Sequence, residues 1–375
     1  MSTARMDDLA LAAEPAGPAP AAGRQRPPEP QTRFDLPDEL SATGPPEARG
    51  LARDEVRLLV ADGRRPVRHT RFHDLGRHLR PGDLLVVNTS ATVAAAVDGT
   101  RLSGRRIEPV VVHVATALDD ARWVVELRTA PDGSRPVLHA RPGDRIRLPG
   151  GATLTLLEPH APGGEGVRLW RAATAADLGG VMRRSGRPIR YGYVDGEWPL
   201  AAYQTVFARD PGSAEMPSAG RPFTHELVTR LVAHGVLVAP VLLHTGVSSL
   251  ESHEAPPAER FAVPAATAAL VNWVRGRGGR VVAVGTTVTR ALESAARPDG
   301  AVTAQAGWTD LVLGPDRPAR AIDGLVTGLH APGASHLLLL EAVVGERVVR
   351  QAYDAALQRR YLWHEFGDTS LLLRP

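Results

Sequence analysis

Two histidines stand where a chain of this kind can do proton chemistry. His244 closes the apolar run Val236–Leu243 just before Thr245-Gly246, and His330 follows Leu325-Val326-Thr327-Gly328 just before Pro332. An imidazole can take or give a proton near neutral pH, and strand ends are where α/β proteins gather ligands. The chain holds 13 histidines, so a surface or satisfied core role is the competing reading. Two carboxylates are candidates to share such transfers. Glu259 lies in Ala258-Glu259-Arg260-Phe261-Ala262-Val263, and Asp310 follows Trp308, whose ring would set an aromatic face beside it. A solvated glutamate and a strand-start turn are the plain alternatives. Arg280–Val284 reads as a buried strand, Gly285-Thr286-Thr287 as a turn, and Val288–Ala296 as a helix carrying Arg290 and Glu293. The free N–H groups at such a helix start suit anionic groups. Arg290 and Glu293 share one helical face, where an exposed ion pair would contribute little. Tyr203-Gln204-Thr205 offers polar contacts for a purine or a carboxylate, and reads equally well as strand. Pro217-Ser218-Ala219-Gly220 is a small-residue loop leading to Thr224, which can cap the next helix.

The elements that must position these groups fall into two textures. From about residue 75 to 170, short apolar runs such as Leu84–Val87, Pro109–Val114, Trp123–Leu127, Arg145–Leu148 and Ala152–Leu157 are separated by Gly, Pro and Asp turns. That spacing predicts an all-β barrel. Before and after it, at 33–74 and 171–375, strand and helix patterns alternate as an α/β domain requires. Helices are predicted at Leu227–His234, Thr267–Arg275, Ser335–Val344 and Val348–Tyr361, and short strands at Val56–Ala61, Leu311–Leu313 and Ala321–Val326. Residues 1–32 are rich in Ala and Pro without apolar periodicity, which predicts a disordered tail.

Bulk composition narrows the function classes. With 375 residues and 43% hydrophobic content, the chain can build two sizeable cores. No apolar run approaches the roughly 18 residues of a membrane span, which predicts a soluble protein, and the absence of cysteine fits a cytoplasmic one. There is no cysteine, which excludes disulfides, thiolate metal sites and cysteine nucleophiles. No His-x-x-x-His or Glu-x-x-His spacing suggests a metal. There is also no lysine, which bars Schiff-base chemistry, and every residue counted as Lys+Arg is arginine. Guanidinium keeps its proton to high pH, so a charge of only +3 coexists with a pI near 9.7. That charge is too small to argue RNA binding without a clustered face.

The run Ala283-Val284-Gly285-Thr286-Thr287-Val288-Thr289-Arg290-Ala291-Leu292-Glu293-Ser294-Ala295-Ala296 resembles the AVGTT-x-x-R-x-LESAA signature of the S-adenosylmethionine:tRNA ribosyltransferase-isomerase family of queuosine biosynthesis. Other segments are similar in the same order. Phe34–Leu40 resembles FDLP-x-EL, Arg80–Asn88 the PGDLLVLN strand ending in Asn88, Tyr203–Ala208 YQTVYA, Gly307–Asp310 GWTD, and Tyr361 to Gly367-Asp368 the closing RY…GD. His244 and His330 match the family's LH-x-G and FHLP positions, and Glu259 its E-Y-Y-x-V segment. The resemblance implies a large α/β-barrel-like domain with an inserted small all-β barrel.

It further implies S-adenosylmethionine used as a ribosyl donor, a substrate with no added cofactor or metal. The sulfonium acidifies the ribose C5′ protons. A base removes one, adenine and methionine leave, and the sugar rearranges to an epoxycyclopentanediol attached to an amine, 7-aminomethyl-7-deazaguanine in tRNA. His244 or His330 would transfer the proton, and Arg290 and Thr286 would contact the donor. The chain departs from the family at polar positions. Asn88-Thr89-Ser90-Ala91 stands for NDTR, Ala96 and Pro222 replace an Arg and a His, and Gly333 replaces a Lys. Gly246–Leu250 lacks a glycine of the G-x-GTF loop, and Glu254–Ala258 replaces a His-Met-His stretch. These losses weaken the tRNA expectation and keep two alternatives open. One is a paralogue acting on a small-molecule acceptor. The other is an inert nucleotide- or RNA-binding homologue using faces such as Arg183-Arg184 and Arg187–Arg190. A monomer or small homo-oligomer is expected.

Overall fold

The computed structural model describes residues 28–160, 166–247 and 257–375. The strands in chain order are β1 (Arg57–Ala61), β2 (Arg68–Arg71), β3 (Leu84–Asn88), β4 (Ser90–Thr92), β5 (Ala96–Ser103), β6 (Arg106–Ala117), β7 (Arg122–Thr129), β8 (Arg145–Arg147), β9 (Thr153–Pro159), β10 (Leu169–Ala173), β11 (Asp210–Ser213), β12 (Leu237–Leu243), β13 (Glu259–Val263), β14 (Val281–Val284), β15 (Gln305–Thr309), β16 (Gly324–Gly328) and β17 (Thr369–Leu373). The α-helices are α1 (Leu178–Ser185), α2 (His225–Ala233), α3 (Ala265–Gly276), α4 (Thr286–Ser294), α5 (Ser335–Val344) and α6 (Glu346–Gln358). Among the described residues, nine strands form one sheet in the order β15-β13-β12-β3-β14-β16-β17-β1-β2, and β5 to β10 close into an antiparallel barrel. The mixed α/β domain and the inserted barrel are those expected, with β15 and β2 as the edges of the large sheet.

The middle of that sheet is parallel, β12, β3, β14 and β16 running side by side. Parallel strands are covered on both faces and read as continuous apolar runs, and every residue of β3 and β14 is buried. Successive side chains alternate between two cores. Leu84, Val86, Val281 and Ala283 join Val271 of α3, Leu292 of α4 and Leu340 of α5. Leu85, Val87, Val282 and Val284 join Phe72, Phe223, Leu227 and Leu231 on the other face. The barrel has its own core, built around Val112, Val125, Leu127, Leu154 and Trp170.

Four expectations change. β3 pairs with β12 and β14 in the large sheet, so the barrel starts at Ala96 and not near residue 75; turn spacing alone does not reveal which sheet a strand joins. The predicted strand Leu311–Leu313 is irregular, and the strand lies earlier, at Gln305–Thr309, paired with β13. The last helix ends at Gln358 rather than Tyr361. Of the predicted tail, residues 1–27 lie outside the described residues, whereas Gln31 and Thr32 donate their backbone N–H groups to Glu341 and Thr32 is buried.

Because β3 is buried on both faces, Leu84→Ala and Leu85→Ala should each cost about 2–5 kcal/mol. Urea denaturation checks this; a strand with one wet face would show the loss at only one of the two.

Candidate active site

The carboxyl ends of β3, β12, β14 and β16 point to one edge of the sheet, where the chain of Asn88 joins them. Asn88 Nδ2 donates to Leu243 O at 2.8 Å, and its Oδ1 accepts from Leu243 N at 3.0 Å and Ser90 N at 3.1 Å. Beyond these ends opens a cleft of about 540 Å³. Its lining includes eight of the expected site residues: Tyr203, Ser218, Glu259, Gly285, Thr286, Thr287, Arg290 and His330.

The floor of the cleft is the start of α4. Gly285 precedes the helix with φ +97°, a left-handed backbone that favours glycine. No side chain caps this end, so the first N–H groups, at Thr286 and Thr287, face the cleft without an intrahelical acceptor. A carboxylate placed there would meet both donors and the positive end of the helix dipole.

One turn further along the helix, Arg290 is 7% exposed and engages the surrounding protein on every side. Its Nη1 pairs with Glu259, Nε donates to Leu311 O at 3.2 Å, and Nη2 donates to Thr309 O at 3.1 Å. The other Glu259 oxygen accepts from Gly246 N at 3.0 Å. Arg290 therefore forms part of the cleft wall, and each of its three nitrogens donates to a protein acceptor. Glu293 was expected to share the site and lies outside it. Its carboxylate is 1% exposed and accepts from Arg320 N at 2.8 Å and Ala321 N at 2.7 Å, beside Arg317. The two residues share a helix but not a pair, because each finds a buried partner from a different segment.

The histidines separate as well. His330 lines the cleft. Its N–H donates to the Tyr353 hydroxyl and its carbonyl accepts from Trp363 Nε1, both at 3.0 Å. Its ring lies parallel to that of His336, 4.5 Å away between centroids. Burial and the neighbouring His336 hold its pKa well below the ordinary value. His244 is absent from the lining. Its Nδ1 hydrogen-bonds Ser90 Oγ at 2.7 Å, which in turn contacts Ser213 Oγ at 2.6 Å. A side chain at Gly212 would strike the His244 ring at 2.5 Å. Burial pushes this imidazole down to about 4. The expectation of one cleft shared by both histidines is thus not met.

The remaining candidates support the frame. Gln204 returns both of its amide bonds to the backbone of Thr92. Thr205 is buried against Gly220 and accepts from Phe207 N. Trp308 is half-buried on β15 opposite Arg260, and Asp310 is exposed at its end. Of the departing segments, 248–256 lies outside the described residues.

Sequence reasoning missed one whole wall of the cleft. Tyr191, Tyr193, Glu215, His336, His364 and Glu365 all line it. The signal was faint: the alternation Tyr191-x-Tyr193 and the pair His364-Glu365 just before Gly367-Asp368.

The sequence matches the profile of the family described as queuosine biosynthesis protein over residues 30–372. The chain belongs to that family. It is 35% identical over 371 residues to the S-adenosylmethionine:tRNA ribosyltransferase-isomerase of Moorella thermoacetica, covering 91% of this chain and 98% of that protein. It is 37% identical over 366 residues to the protein of the same name from Methylobacterium sp., covering 91% and 97%. A crystal structure of S-adenosylmethionine tRNA ribosyltransferase from Thermotoga maritima is similar with a TM-score of 0.50 and 28% identity, covering 91% and 99%. None of these relatives favours the small-molecule paralogue or the inert homologue. No helix among the described residues is long and apolar enough to cross a membrane.

Two outcomes follow from these placements. Glu293→Ala should destabilise the fold by about 3–5 kcal/mol, since it strips a buried carboxylate from its partners, while calorimetry finds donor affinity unchanged; a large loss of affinity in a folded variant would return Glu293 to the site. Burial holds His244, His336 and His364 down to about 4 and His330 well below its ordinary value. Depressed imidazoles contribute stability that is present above about pH 6.5 and lost as pH falls toward 4. Glu365, pushed up to about 7 chiefly by burial, opposes this as a single group. Thermal midpoints should therefore fall on acidification across that window, and His336→Phe, which keeps a stacked ring, should flatten the fall.

Proposed function

We propose that the protein is an S-adenosylmethionine-dependent transferase-isomerase of the cytoplasm. It would attach the isomerised ribosyl moiety of the donor to 7-aminomethyl-7-deazaguanine in tRNA and release adenine and methionine. The observation that carries this reading is the intact Ala283–Ala296 segment, whose Gly285, Thr286, Thr287 and Arg290 lie in the lining of the cleft. A cleft of about 540 Å³ is of the size that ligands of this class occupy.

In this reading the donor's methionine carboxylate sits on the N–H groups of Thr286 and Thr287. The sulfonium makes the C5′ protons acidic through its positive charge. His330 is neutral at pH 7 because its pKa is depressed, so its ring can accept a C5′ proton. Thr327 Oγ1, 3.0 Å from His330 Nε2, orients the ring. His244 is assigned a structural role with Ser90. Arg290 positions Glu259 and the carbonyls of Thr309 and Leu311, and so acts through the wall rather than on the donor. The donor is a substrate, and the proposed chemistry uses no metal.

Incubation with the donor and tRNA bearing the aminomethyl-deazaguanine should release adenine and methionine in equal amounts. The epoxycyclopentanediol adduct should appear on the tRNA by mass spectrometry, and a chelator should leave the rate unchanged. His330→Asn should lower kcat by roughly 10²- to 10⁴-fold with donor affinity nearly unchanged. Methylthioadenosine or S-adenosylhomocysteine as the product would contradict the reading.

A further inference from the structure

The wall that the proposed donor site leaves unused has a composition of its own. Tyr191 and Tyr193 stack at 6.0 Å between centroids with their planes 23° apart, and Tyr193 stacks on His364 at 4.1 Å and 16°. The three rings form one ladder, and all three line the cleft. Two carboxylates are fixed to its edge. The Tyr191 hydroxyl donates to Glu215, and the Tyr193 hydroxyl donates to Glu365 Oε2 at 2.9 Å. The second oxygen, Glu365 Oε1, is buried and has no hydrogen-bond partner among the described residues. A buried carboxylate oxygen left unpaired is costly, and structures keep few of them. His364, next in the chain, holds φ +72°, a conformation that costs a non-glycine residue of order 1–3 kcal/mol and gathers at functional sites.

Each feature suits one kind of ligand. A ladder of parallel rings offers a face to a planar aromatic base. Two carboxylates at the edge of that face, one with an unmet acceptor, suit a cationic amine or a row of N–H donors. The donor's carboxylate does not fit here, because Glu215 and Glu365 would repel it. Burial, and to a smaller extent the neighbouring Glu215, also favour the neutral form of Glu365, which is pushed up to about 7. An arriving ammonium would reverse that balance and hold the carboxylate ionised.

We propose that the Tyr191–Tyr193–His364 ladder, with Glu215 and Glu365, is the acceptor subsite, which stacks a planar base and pairs Glu365 Oε1 with its cationic aminomethyl group. This inference rests on the function proposed above and assigns the acceptor half of the same cleft. Glu365 and the Thr286–Thr287 floor would then hold the two substrates by opposite charge, one wall for the ammonium and one for the carboxylate. Such an arrangement discriminates against the reversed placement of either substrate.

The test compares wild type, Glu365→Gln and Tyr193→Leu as full chains with the donor and two tRNAs, one bearing 7-aminomethyl-7-deazaguanine and one bearing guanine at that position. Glu365→Gln keeps the side-chain shape and an acceptor for the Tyr193 hydroxyl. It should raise KM for the modified tRNA roughly 10- to 100-fold and erase the binding preference over the guanine tRNA, with donor affinity by calorimetry within about twofold of wild type. Tyr193→Leu should do the same by removing the middle ring that holds Tyr191 and His364 in the ladder, and circular dichroism melting shows whether each variant is folded. A folded Glu365→Gln that keeps its preference for the modified tRNA, or that loses donor affinity instead, overturns the subsite. If wild type turns over neither tRNA and prefers neither, the functional reading itself falls and the subsite with it. Turnover by wild type with unaltered variants overturns the subsite alone.

Discussion

The cleft depends on one ion pair. Arg290 reaches from α4 to Glu259 on β13 while its other nitrogens hold the carbonyls of Thr309 and Leu311. Three segments distant in sequence are thereby fixed around one guanidinium. Glu259 in turn holds the N–H of Gly246, which places the start of the loop after β12. A buried pair of this kind adds little net stability over an apolar substitute, yet removing one partner leaves the other charged and stranded at a cost of about 3–5 kcal/mol. Its value is positional. Guanidinium supplies five donors in a rigid fork, so it can hold carbonyls at the end of the edge strand β15 and just beyond it.

The cleft lining carries groups of both electrostatic signs. The floor offers uncapped N–H groups at Thr286 and Thr287, and the far wall offers Glu215 and Glu365 on a ladder of rings. The imidazoles of His330 and His336 also line the cleft, stacked on one another, and burial lowers the pKa of both. A reaction that begins by taking a proton beside a sulfonium needs a neutral base, little water and fixed dipoles in place of solvent. The sheet provides the rigidity: β3, β14 and β16 are buried on both faces, and their ends define the floor.

Much of the fold was legible because its signals are local. The apolar runs of β12 and β14, the barrel turns and helices α2 to α5 follow from periodicity and from Gly and Pro placement. The sheet to which Leu84–Asn88 belongs was not legible, since pairing is a long-range choice made after the chain collapses. The site was read in part. Gly285, Thr286, Thr287 and His330 announced themselves by lying at strand ends. Glu293 and His244 looked equally chemical but are satisfied by Arg320 N, Ala321 N and Ser90, partners up to 154 residues away. Tyr193 and Glu365 were invisible for the same reason in reverse: 172 residues separate them, and only the fold brings hydroxyl and carboxylate together.

Where the donor sits in the cleft decides the roles of Thr286, Thr287 and His330. A crystal structure of the protein with S-adenosylmethionine measures this directly. The methionine carboxylate is expected within hydrogen-bond distance of the Thr286 and Thr287 N–H groups, the C5′ carbon near the His330 ring, and the Arg290–Glu259 pair unbroken. Density for the donor in the barrel, or with its carboxylate drawn to Arg290 and the pair opened, would contradict this placement.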